Sequence, residues 1–162
     1  MITLKKMTQE EYLDYKEFSI AEYAKGLMEE KNLSLEQAKN DAKCEFEFGM
    51  PAGLETKDSF LMNIVNEEGL RTGWLLFQYD SSGGENHKQV FLADLYVYES
   101  ERGKGYASEA INEMNRMAKK DGCSSSALFV WEHNPSALKL YEKCGYVFFE
   151  QGDGGVFMIK TI

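Results

Sequence analysis

The chain has 162 residues, with 18 basic side chains against 27 acidic ones and a formal net charge of -9. That length predicts a single domain over residues 1–162, large enough to build a core without disulfide or metal staples. Ten Phe, nine Tyr, two Trp and a 43% hydrophobic fraction exclude a disordered polymer, and the net negative field disfavours nucleic acid and anionic membranes as partners while favouring cationic ones.

In chain order, residues 2–5 read as a short strand. Thr8 is placed to cap a helix whose apolar residues include Tyr12, Tyr15, Phe18 and Ala21. Ser34 with Gln37 forms a capping-box pattern, and Leu35, Ala38, Ala42 and Phe46 recur behind it at helical spacing until Gly49 and Pro51. Residues 60–65 and 74–79 read as strands joined by a turn at Glu68 and Gly69, and residues 80–86 read as a second turn. Residues 90–98 (VFLADLYVY) form the strongest strand signal. Ala107, Ala110, Ile111, Met114 and Ala118 then share one helical face, with Gly122 beyond its end. Residues 127–131 read as a short buried strand. Asn134 and Pro135 open a helix carrying Ala137, Leu140, Tyr141 and Cys144 on one face and stopping at Gly145. Residues 146–149 and 156–160 complete a hairpin.

The order β-α-α-β-β-β-α-β-α-β-β predicts a mixed α/β fold, a central mixed sheet with helices on both faces. The strands at 90–98 and 127–131, joined by a helix, should be parallel neighbours. No apolar run approaches ~18 residues, and the opening MITLKKMTQEEY lacks the apolar stretch of a signal peptide, so a cytoplasmic location is expected. Cys44, Cys123 and Cys144 form no CxxC pair, which points to free thiols rather than a disulfide or a metal site.

Residues 102–107 (RGKGYA) follow a strand and open a helix. A helix start presents unpaired N–H groups and about half a positive charge. Gly103 and Gly105 let a ligand approach the backbone, and Arg102 and Lys104 add positive charge. Together they suggest an anion cradle suited to phosphate or pyrophosphate. The Walker A pattern is absent. The stretch from Gly103 to Ser108 imitates a dinucleotide fingerprint, but it follows three meandering strands, and a Rossmann unit would open an alternating βαβ run.

The second constellation is residues 134–146 (NPSALKLYEKCGY). The two motifs together resemble those of the GNAT superfamily of acetyl-CoA-dependent N-acetyltransferases. The pattern [Q/R]-x-x-G-x-[G/A] is matched by Arg102, Gly105 and Ala107, and N-x-x-A-x-x-L-Y-x-x-x-G-[F/Y] by Asn134, Ala137, Leu140, Tyr141, Gly145 and Tyr146. The resemblance implies acetyl-CoA as co-substrate, no metal, and a primary amine on a small molecule or peptide as acceptor. It implies a cofactor slot between splayed strands at 90–98 and 127–131, with the pantetheine beside the backbone of Leu95, Tyr96 and Val97. The diphosphate would lie on the amides of Gly103, Lys104, Gly105, Tyr106 and Ala107, with Asn134 near the second strand, where it can also cap its helix.

Tyr141 matches the family's proton donor to the leaving thiolate. Ala93 stands where one subgroup has a catalytic glutamate. Asp94, on the face of Tyr96 and not of Val97, is either a base or binder for the amine or a structural acceptor; Glu132 and His133 are alternative bases. His87 lies in a polar turn and is given no role. The resemblance implies an acceptor side built from residues 8–49 and the loop to Phe60, where Glu10, Glu11, Asp14, Glu17, Glu22, Glu29 and Glu30 are concentrated, and a homodimer. The alternative function is a catalytically weak acyl-CoA sensor or interaction module on the same fold, motivated by the missing acid at Ala93.

Overall fold

The computed structural model describes residues 1–82 and 88–162, with Glu30 through its backbone alone. Residues 83–86 of the second expected turn, and His87, lie outside the described residues. The chain divides into two compact units, residues 7–59 and residues 1–6 with 60–162.

The smaller unit holds helices α1 (Gln9–Lys31) and α2 (Leu35–Gly49), both opened by capping boxes, at Thr8 with Glu11 and at Ser34 with Gln37. Each box satisfies two backbone donors that a helix start leaves unpaired. Ala24, Leu27, Ala38 and Ala42 form the contact between the helices, with Ile20, Met28 and Leu33 around it. Tyr12 and Tyr15 are buried as the spacing predicts, their rings 6.4 and 5.9 Å from that of Phe46, but other residues of the expected stripe are not. Phe18 is 37% exposed and Leu35 52% exposed, and Ala21 also faces solvent. Glu11 is occupied at the cap, accepting from the Thr8 amide at 2.8 Å.

The larger unit is a seven-stranded sheet in the order β1-β2-β3-β4-β5-β7-β6. The strands are β1 (Ile2–Lys6), β2 (Ser59–Asn66), β3 (Arg71–Asp80), β4 (Gln89–Val97), β5 (Ser125–Trp131), β6 (Val147–Gln151) and β7 (Gly155–Thr161). The turn at Glu68 and Gly69 is present, with the Asn66 side chain accepting from the amides of Glu68 and Leu70. β4 and β5 are parallel, as the crossover demands. The C-terminal hairpin is present too, but β7 inserts between β5 and β6 and leaves β6 at the edge.

Helices α3 (Tyr106–Lys120) and α4 (Pro135–Lys143) complete the unit. Ala110, Ile111, Met114 and Ala118 of α3 are fully buried in one cluster with Ile64, Leu75, Phe77, Val90, Leu92 and Leu128. Burial of a side chain such as Ile111 or Met114 stabilises the fold by ~1.5–3 kcal/mol. Asn115 is buried on the same helix because the Tyr146 hydroxyl, itself 2.6 Å from Ser126 Oγ, lies 3.3 Å from its Nδ2.

The register of β4 against β3 carries one irregularity. Leu76 faces Asp94 and Phe77 faces Leu92, so Ala93 is an extra residue without a partner on β3. Counted by plain alternation from Val90 and Leu92, Asp94 would fall on the core face. The bulge slips the count by one. Leu95 and Val97 pack on the core cluster instead, and Asp94 emerges with Phe91 and Tyr96 on the opposite face. The acid in this apolar strand is accommodated by one inserted residue.

Candidate active site

Pairing between β4 and β5 covers only Gln89 to Leu92 on one strand and Ser125 to Leu128 on the other. Both strands continue, β4 to Val97 and β5 to Trp131. Their outer neighbours stay with them, since Gly73 still faces Val97 and Gly155 still faces Trp131. The sheet therefore parts along one seam, leaving residues 93–97 and 129–131 without each other as ladder partners. Backbone groups along such a seam require another partner. β3 follows β4 closely, because a Cβ at position 73 would lie 2.0 Å from the Tyr96 carbonyl oxygen, so only glycine fits there.

Beyond β4 the chain makes a single 3-10 turn over Glu99–Glu101 and enters α3. Gly105 is the cap residue, at φ 87°, with no side-chain cap hydrogen bond. Left-handed backbone at this position favours glycine, and a Cβ at 103 or 105 would meet no atom within 4 Å. The start of α3 thus presents main-chain amides to an open space. Lys104 and Arg102 flank it, each beside a carboxylate. Lys104 Nζ lies 2.9 Å from Glu101 Oε2, a contact that raises the ammonium pKa, and Arg102 Nη1 lies 3.8 Å from Glu99 Oε1. Ion pairs at the surface are weak, so these leave both cations beside the helix terminus, whose amides add to the attraction for an anion. Arg102 also turns back toward the seam, its Nε donating to the Val97 carbonyl at 3.1 Å and its guanidinium lying 5.5 Å from the Tyr96 ring centre. Val97's carbonyl is thereby occupied.

On the other side of the seam, Asn134 caps α4, accepting from the Ala137 amide at 3.1 Å. Pro135 occupies the first turn. Gly145, at φ 88°, ends the helix, and the Tyr146 amide bonds back to the Tyr141 carbonyl at 3.0 Å. Tyr141 is partly buried against the core and sits 6.2 Å, ring centre to ring centre, from Tyr146. Its phenol pKa is pushed up to about 12, first by burial, then by the negative charge of Asp94.

Asp94 accepts a hydrogen bond from Trp74 Nε1 at 3.0 Å. Trp74 was not singled out by sequence reading; its place beside Asp94 depends on the cross-strand register, which sequence periodicity does not contain. The other candidate bases have separate partners. Glu132 accepts from Gln151 Nε2 at 3.0 Å, and the His133 ring stacks on Trp131.

A parted parallel seam beside an uncapped helix start, with a phenol and a carboxylate at its edges, has the makings of an acyl-carrier site. The chain belongs to the acetyltransferase (GNAT) family, whose model matches residues 16–146, and it is therefore an acyltransferase. It is 31% identical over 144 residues to the uncharacterized N-acetyltransferase YdgE of Bacillus subtilis (strain 168), covering 89% of this chain and 90% of the relative. It is also 31% identical to YycN from the same organism, whose crystal structure superposes with a TM-score of 0.81 over 94% of both chains. The PaiA N-acetyltransferase from Thermoplasma acidophilum, crystallised in complex with coenzyme A, shares the fold at a TM-score of 0.73 and 16% identity, over 100% of this chain and 99% of that one.

Proposed function

We propose that the chain transfers an acetyl group from acetyl-CoA to a primary amine by direct attack within a ternary complex. The observation that carries this reading is the β4–β5 seam, parted beyond Leu92 and Leu128 next to the uncapped start of α3. It fits a thioester with a long amide-bearing arm and a diphosphate. The backbone of Leu95 and Val97 would receive the pantetheine, Val97 through its amide because its carbonyl is taken, while Tyr96 between them turns its carbonyl to β3. The amides of Gly103, Lys104, Gly105, Tyr106 and Ala107 would receive the diphosphate, which Arg102 flanks. Asn134 keeps its helix cap and borders the arm on the side of β5. The coenzyme A held by the PaiA relative is in keeping with this assignment.

In the reaction the amine nitrogen bonds to the thioester carbon, the C–S bond breaks, nitrogen gives up a proton and sulfur gains one. Asp94 is the acceptor for the nitrogen's proton, and it is turned to the non-core face by the bulge at Ala93. Tyr141 is the donor to sulfur, because its raised pKa keeps the phenol protonated at neutral pH.

Two measurements test the reading. Acetyl-CoA at about 100 times its Kd should stabilise the fold by ~2.7 kcal/mol, a rise of about 5–10 °C in melting midpoint for a chain of this size, while NAD should leave it unmoved. Free thiol should then appear on addition of at least one amine class, in a screen of polyamines, aminoglycosides, small amine metabolites and peptide N-termini. An unchanged midpoint with saturating acetyl-CoA overturns the reading. A raised midpoint without thiol release from any amine turns it into an acyl-CoA-binding module.

A further inference from the structure

We infer that Trp74 is the positioning residue for Asp94, its indole N–H fixing the carboxylate that takes the acceptor amine's proton. The inference rests on the function proposed above and adds to it a residue outside both sequence motifs. Trp74 lies on β3 directly opposite Tyr96, two pairs along from Leu76 and Asp94 and so on the same face, from where it reaches Asp94 diagonally. It is 5% exposed. Its ring is stacked on Tyr96 at 4.6 Å and 17°, met edge-on by Tyr98 at 5.9 Å and 76°, and approached by the Arg71 guanidinium at 5.6 Å from the ring centre. An indole held at its face and its edge has little freedom to turn, so the direction of its N–H is fixed. That N–H lies 3.0 Å from Asp94 Oδ2.

Tryptophan suits this task by its chemistry. The indole N–H only donates and does not titrate, so it offers the carboxylate a permanent partner. A bond to an ionised acceptor is also stronger than one between neutral groups. The gain is one of geometry, since a displacement of about 1 Å at a reacting group can lower the rate ~100-fold.

The test compares Trp74→Phe, Asp94→Ala and the double variant with the unaltered chain. Phe keeps an aromatic ring against Tyr96 and removes the N–H donor along with part of the ring volume, and the double variant separates the two losses. Trp74→Phe should lower kcat about tenfold, with the KM for acetyl-CoA within twofold. The double variant should be no slower than Asp94→Ala alone, because the indole acts through the carboxylate. A purely structural Trp74 predicts independent, multiplying losses, and that result overturns the inference. A second arm needs no turnover. The chain has two Trp, so a 15N spectrum shows two indole N–H signals, and Trp74→Phe identifies one. In Asp94→Ala that signal should move while the Trp131 signal stays; an unmoved Trp74 signal removes the link. If no amine is turned over at all, the proposed function fails by its own test, and the indole arm still decides whether Trp74 holds Asp94.

Discussion

The two groups proposed for proton transfer carry different demands. A phenol held at about 12 lies about 3.5 pK units above a free thiol near 8.5, so complete transfer to a thiolate is uphill by roughly 5 kcal/mol. Tyr141 therefore serves best by donating a hydrogen bond to sulfur as charge develops there, with the proton settling afterwards. Tyr141→Phe should reduce kcat about 10- to 100-fold and leave the KM for acetyl-CoA within twofold, checked by initial-rate kinetics. The phenol's raised pKa also means that an alkaline limb in kcat below pH 10 does not originate from Tyr141. At this scale the sequence was informative about Tyr141 and Asn134, because motif spacing fixes them relative to their own helix. It was uninformative about Trp74 and about the ion pairs that occupy Arg102 and Lys104, because those partners are set by strand register and loop geometry. The sequence left Asp94 open between two roles. The Trp74 bond supplies the structural half of the answer, and the kinetics of Asp94→Ala bear on the other.

Among the elements, β4 and the start of α3 determine the site. The strand and the helix were readable from their periods, and the capping boxes at Thr8 and Ser34 from single residues. The bulge at Ala93 was not readable. A one-residue slip leaves no compositional trace in a strand whose apolar residues occur on both faces, as Phe91 and Leu92 do. The parting of β4 from β5 was expected from family resemblance alone, and it is visible only as a ladder that stops at Leu92 and Leu128. Gly105 connects strand and helix. Because its φ is 87°, Gly105→Val should cost ~1–3 kcal/mol of stability through backbone strain alone. It should also place branched carbon over the open amides, so affinity for CoA should fall by more than the melting midpoint suggests. Parallel calorimetric titration and thermal melts separate the two effects, and unchanged CoA affinity would dissociate Gly105 from the cradle.

For the whole molecule, the sequence reproduced the element order but not the sheet order, since nothing local to residues 146–160 says that β7 rather than β6 joins β5. Three tyrosines, Tyr146 buried and Tyr79 and Tyr141 partly so, give the molecule a definite pH response. Burial raises the phenol pKa of Tyr141 to about 12 and also raises those of Tyr79 and Tyr146, with Asp121 adding to the effect on Tyr79. A phenol with a folded pKa above its unfolded value near 10 adds stability that is fully present below pH 10 and is lost as pH rises through the folded value. Denaturation midpoints should therefore stay level from pH 8 to about 10 with respect to these groups and fall between about 10 and 12, alongside tyrosinate absorbance. Ionisation of all nine tyrosines before any loss of structure would contradict the burial described here.

The most direct test is a titration of the 15N-labelled chain with coenzyme A, followed amide by amide. The largest displacements should fall on two segments, Gly103 to Ala107 at the start of α3 and residues 93–97 along the parted edge of β4. If coenzyme A binds while the amides of both segments stay where they are, the parted seam and the bare helix start are not its site, and the assignment of the chemistry to Asp94 and Tyr141 falls with them.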